Sequence, residues 1–117
     1  MSITIYHNPK CGTSRTVLEA LQGAGHAPRV VEYLKVGWTE AQLKGLFERM
    51  GVRPRDLLRV KGTPAEDLGL TDPAVSDAEI LRAMAAHPIL VERPIVVTPK
   101  GAFLCRPASR LDEALAP

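Results

Sequence analysis

One cysteine, Cys11, stands in the stretch YHNPKCGTSR, where a strand-like run gives way to a helix-like one. Three positions later, where a dithiol redox motif would carry its second cysteine, there is Ser14. Free main-chain N–H groups at a helix start favour a thiolate and can take a cysteine pKa from about 8.5 to as low as about 3.5–7.5. His7, Lys10 and Arg15 are sequence neighbours able to add positive potential. The same N–H groups suit an anion. A thiolate beside an anion pocket points to nucleophilic attack on an oxyanion.

Structural cysteines behave as small buried hydrophobes and sit among apolar residues. Pro9, Gly12, Thr13 and Ser14 instead surround Cys11 with turn and capping types, whereas Cys105, inside AFLC, has the structural character. A phosphatase-type cysteine loop needs an arginine six positions after the nucleophile, and that position is Val17. A dithiol oxidoreductase needs C-x-x-C, which Ser14 breaks. The remaining chemistry is that of a monothiol regenerated by a thiol from outside. His7, His26 and His87 are scattered and no Cys or His pair has zinc-like spacing, so no metal site is expected.

The elements that must position Cys11 follow from periodicity. SITIY (2–6) reads as a strand, and Val17, Leu18, Leu21 and Ala24 give helical spacing over 13–24. RVVEYL (29–34) reads as a second strand, so the first third is a β-α-β unit with parallel strands. Thr39 with Gln42, and Ser76 with Glu79, mark two further helix starts. Gly51 stops the first of these helices, and His87–Pro88 the second. Pro54, Gly62 and Pro64 break the stretch between them into short turns. PIVVTP (94–99) and AFLCR (102–106) read as a hairpin, followed by a short helix from near Pro107. The order is β-α-β, a helical insertion, then β-β-α, which suits an α/β fold with a mixed sheet flanked by helices.

The 117 residues suffice for one domain with a real core, and no composition shift divides 1–117. Hydrophobic residues at 45% and charged residues at 24% are those of a soluble globular protein. No apolar run reaches the roughly 20 residues that span a bilayer, and MSITIYHN lacks the pattern of a signal peptide. A cytoplasmic protein without membrane association is expected. The net charge of +2, dispersed basic residues and 4% aromatics argue against a nucleic-acid partner.

ITIYHNPKCGTSR, DLLR, HPILVERPIVVTPKG and LCRP, in this order, resemble the glutaredoxin-dependent arsenate reductase family, thioredoxin-fold proteins related to the Spx-type regulators. The resemblance covers nearly all of residues 2–108. It implies a thioredoxin-like (glutaredoxin-like) core with a helical insertion, and a role in arsenic resistance. It implies that Cys11 is the catalytic nucleophile attacking arsenate to form a thiol–arsenate adduct. Arg59, Arg93 and Arg106 would bind the oxyanion, and His7 and Ser14 would tune the thiolate. Glutathione would act as co-substrate, glutaredoxin as the resolving partner, with no bound cofactor. Planar guanidinium forks match a tetrahedral dianion with paired hydrogen bonds. Pro94 is expected to follow a cis bond, a geometry seen in only about 5–6% of X–Pro bonds. Two readings stay open beside this one. One is a related thiol oxidoreductase acting on another anion, and the other is an Spx-like regulatory interaction protein.

Overall fold

Alternation in the first strand decides which face of the sheet becomes the core. The computed structural model describes residues 1–117. Strand β1 runs Thr4–His7, and its Ile5 and His7 turn inward while Thr4 and Tyr6 are only partly covered. Helix α1 spans Gly12–Gly23 and strand β2 spans Arg29–Glu32. Strands β1 and β2 pair in parallel, from Thr4 opposite Arg29 to His7 opposite Glu32. The expected extension of this strand to residue 34 does not form, because β1 ends at His7 and offers no ladder beyond Glu32. Tyr33–Val36 instead makes a single helical turn, α2, with Tyr33 buried.

Met1–Val36 and Arg93–Pro117 form one compact unit, and Gly37–Glu92 a second. In the first unit, strand β3 (Ile95–Thr98) lies antiparallel to β1 and pairs with strand β4 (Gly101–Leu104) as a hairpin. The four strands take the order β2-β1-β3-β4. A short 3-10 turn at Ala108–Arg110 leads into helix α5, Leu111–Leu115 by the order of this first unit. One apolar cluster joins Ile3, Ile5, Val17, Leu21, Val96, Cys105, Leu111 and Ala114. The first and last helices therefore share the sheet face that carries Ile5. Burying a side chain such as Leu21 contributes roughly 1.5–3 kcal/mol.

The second unit is the helical insertion. Helix α3 runs Glu40–Met50, and the Thr39 hydroxyl accepts the Gln42 N–H at 3.1 Å. Gly51 closes it at a φ of 70°, the left-handed conformation that glycine adopts without a Cβ penalty. Helix α4 runs Asp77–Ala86, with the Ser76 hydroxyl accepting the Glu79 N–H at 3.2 Å, and it stops before Pro88. Leu43 and Phe47 of α3 and Ile80 and Met84 of α4 are buried. The turn-rich stretch between these helices begins with a 3-10 turn at Pro54–Leu57. Arg55 pins the rest, donating to the carbonyls of Leu70, Asp72 and Val75 at 3.4, 3.0 and 2.9 Å. No helix is long and apolar enough to cross a membrane.

Candidate active site

The loop that leaves β1 is built around Asn8. Its carbonyl accepts the Cys11 N–H at 3.0 Å, closing a turn with Pro9 in the second position. Its side-chain oxygen accepts the Lys10 N–H at 3.0 Å, and its own N–H donates to the Ser14 hydroxyl at 3.1 Å. From the solvent side, Arg15 Nη1 donates to the Pro9 carbonyl at 3.0 Å. Cys11 emerges as the N-cap residue of α1, in extended conformation. Sequence reasoning passed over Asn8, although an asparagine before proline is a turn signal that could have marked it.

Cys11 is buried, and desolvation alone would raise its pKa. Three groups outweigh that burial. The main-chain N–H of Ser14 faces the sulfur, and the guanidinium groups of Arg93 and Arg106 add hydrogen bonding and charge, so the thiol falls from 9.0 to about 7. Arg106 Nη1 stands 3.6 Å from the Cys11 sulfur and 3.5 Å from the Arg93 carbonyl. Arg93 is a buried cation whose Nε and Nη1 have no hydrogen-bond partner. Buried donors left unmatched cost about 1–3 kcal/mol each, more when charged, so they favour an incoming anion. The Arg93–Pro94 bond is cis; Arg106–Pro107 is a second cis bond, which sequence reasoning did not anticipate.

Ser14 is fully buried, and its hydroxyl lies 2.6 Å from His7 Nδ1. The Asn8 N–H donates to the same oxygen, so one buried hydroxyl joins the loop main chain to the His7 ring. Burial lowers the His7 pKa, partly opposed by the Glu32 charge. His7 is thus held neutral at neutral pH. The serine side chain reaches His7 and Asn8, while its main chain faces the thiol.

The structure therefore brings His7, Cys11, Ser14, Arg93 and Arg106 together within the first unit. Arg59 belongs to the second unit. There its Nη1 donates to Glu92 at 3.0 Å and its Nε to the Lys61 carbonyl at 3.2 Å, with both charged side chains mostly covered. Cys105 is fully buried in the apolar cluster, and burial pushes its thiol up to about 12, which makes it unreactive. No three His, Cys, Asp or Glu side chains gather as a metal-ligand set.

A family model described as the ArsC family matches residues 6–114. The arsenate reductase ArsI2 of Synechocystis is 56% identical over 106 residues, which are 91% of this chain and 76% of that protein. The arsenate reductase of Escherichia coli K12 is 46% identical over 114 residues, 97% of this chain and 81% of that one. The solved structure of an arsenate reductase from Vibrio cholerae matches with a TM-score of 0.93 at 41% identity, covering 98% of each chain. The likeness includes the mixed four-stranded sheet with its helices, a thioredoxin-like fold.

Proposed function

This chain belongs to the ArsC family, and we propose that it is an arsenate reductase whose single working thiol is Cys11. One observation carries the reading. A thiol poised to ionise near neutral pH lies beside Arg106 and beside the unpartnered donors of Arg93.

Arg93 and Arg106 bind the arsenate oxygens and hold the arsenic next to the sulfur. Arg59 is the third oxyanion-binding arginine on this reading, and it would exchange part of its pairing with Glu92 for the substrate. The Cys11 thiolate attacks arsenic, forming an S–As bond as one arsenate oxygen leaves as water after protonation. Glutathione thiolate then attacks the Cys11 sulfur. An S–S bond replaces the S–As bond, whose electron pair departs with arsenic, so As(V) becomes As(III) and leaves as arsenite. Glutaredoxin reduces the mixed disulfide and returns the Cys11 thiol. Two thiols supply the two electrons. Ser14 provides no internal sulfur, so both reducing thiols arrive from outside, which suits the cytoplasm, where thiols are kept reduced. His7 and Ser14 tune the nucleophile through the loop, with the Ser14 hydroxyl fixed to His7 and its N–H facing the sulfur.

Arsenate-dependent NADPH oxidation in the presence of glutathione, glutaredoxin and glutathione reductase tests this reading. Omitting either glutathione or glutaredoxin stops turnover if the thiol route is right. Continued turnover without both shows a different electron source.

A further inference from the structure

We propose that Asn8 is the positioning residue for Cys11: its main-chain N–H, carbonyl and side-chain oxygen together fix the turn that presents the sulfur at the start of α1. The inference rests on Cys11 being the reactive thiol, and assigns the loop geometry to a residue outside the proposed thiol, arginine, histidine and serine set.

Asn8 is 3% exposed, and its main-chain N–H, its carbonyl and its side-chain oxygen each make a bond within the loop. The side-chain oxygen takes the Lys10 N–H two residues on, an Asx-turn, while the carbonyl takes the Cys11 N–H three residues on. These nested bonds set the direction in which the chain enters the helix. The third bond, from the Asn8 N–H to the Ser14 hydroxyl, ties the turn to the helix's first turn. That is the turn whose Ser14 N–H faces the Cys11 sulfur. The same hydroxyl is also engaged by His7. Asn8 therefore connects β1, the turn and the helix start, and a shift at any of them moves the thiol relative to Ser14 and Arg106. Lys10, whose side chain is exposed, is held here by its main chain.

The acceptor on the side chain is the part that mutation can remove. Asn8→Ala deletes it, and Asn8→Gln moves it one methylene away from the Lys10 N–H. Asn8→Ser supplies a hydroxyl able to close the same kind of turn. The readout is the pH profile of Cys11 alkylation by iodoacetamide, located by mass spectrometry, which needs no substrate and no reductase activity. The native midpoint is expected at about 7. In Asn8→Ala and Asn8→Gln the midpoint rises by about one unit, so alkylation at pH 7 slows roughly fivefold. Asn8→Ser restores most of the native rate. In the coupled assay kcat falls for the first two variants, while the arsenate KM changes little, because the arginines are attached elsewhere. A native midpoint in a folded Asn8→Ala or Asn8→Gln overturns the assignment, as does an Asn8→Ser midpoint shifted as far as that of Asn8→Ala. Failure of both Asn8→Ala and Asn8→Gln to fold also overturns it, since Asn8 would then be a stability residue first. An alkylation pattern as expected in a protein inert toward arsenate retains the positioning role and rejects only the substrate.

Discussion

Arg106 Nη1 lies 3.6 Å from the Cys11 sulfur although 95 positions separate the two residues in sequence. The helix start and the segment that follows β4 thus bring a thiol and a guanidinium together. Replacing Arg106 by Lys keeps a charge but removes the planar fork. Losing one charge-assisted hydrogen bond costs about 1.5–3 kcal/mol, so the arsenate KM rises at least about tenfold. Arg93→Lys behaves in the same way. Steady-state kinetics with arsenate as the varied substrate checks both, and unchanged KM values in both variants would remove paired guanidinium recognition.

The Cys11 pKa of about 7 fixes a pH dependence. With the Cys11 thiolate as the proposed nucleophile, kcat/KM for arsenate is expected to climb as pH rises through about 7 and to level off above it. Stability follows the same ionisation. The folded pKa is depressed from 9.0, so the ionised thiol adds stability that is fully present above about 9 and is lost as pH falls through about 7. Urea unfolding of native protein and Cys11→Ser, compared below pH 7 and near pH 9, shows native protein gaining on the variant as pH rises. A constant difference across that window contradicts the shift.

Ser14→Ala leaves the Asn8 N–H and His7 Nδ1 without the hydroxyl they share in a buried setting. The expected loss is about 1–3 kcal/mol of unfolding free energy, from denaturant titration. A loss below about 0.5 kcal/mol would show that the hydroxyl is easily replaced.

The two thiols differ sharply. Cys11 reacts with an aromatic disulfide reagent in the native state, and Cys105 reacts only after denaturation, because it is fully buried with a pKa of about 12. Thiol counting with and without denaturant separates them. Two equally fast native thiols would contradict the core placement of Cys105.

Legibility in the sequence followed the range of the interactions. β1 and α1 were readable because Ile5, Val17 and Leu21 bury on simple periodicities, and Thr39 and Ser76 announced their helices through bonds spanning three residues. Tyr33 and Leu34 continued a strand-like run, yet the strand stops where its neighbour runs out, which is a property of the sheet. In the turn-rich stretch, Arg55 organises carbonyls up to 20 positions away, a pattern without local periodicity. Cys11 was conspicuous by its turn-forming neighbours, and the arginines were found through resemblance to a family. Asn8 escaped notice because its importance comes from three bonds made at once, each ordinary on its own.

The most direct measurement is arsenate-dependent NADPH oxidation, coupled through glutathione, glutaredoxin and glutathione reductase, for native protein beside Cys11→Ser. Reduction through Cys11 predicts turnover by the native protein and none above background by the variant, with the fold retained in both. Turnover that survives in Cys11→Ser, or its absence in native protein whose Cys11 alkylates normally, would contradict arsenate reduction by this thiol.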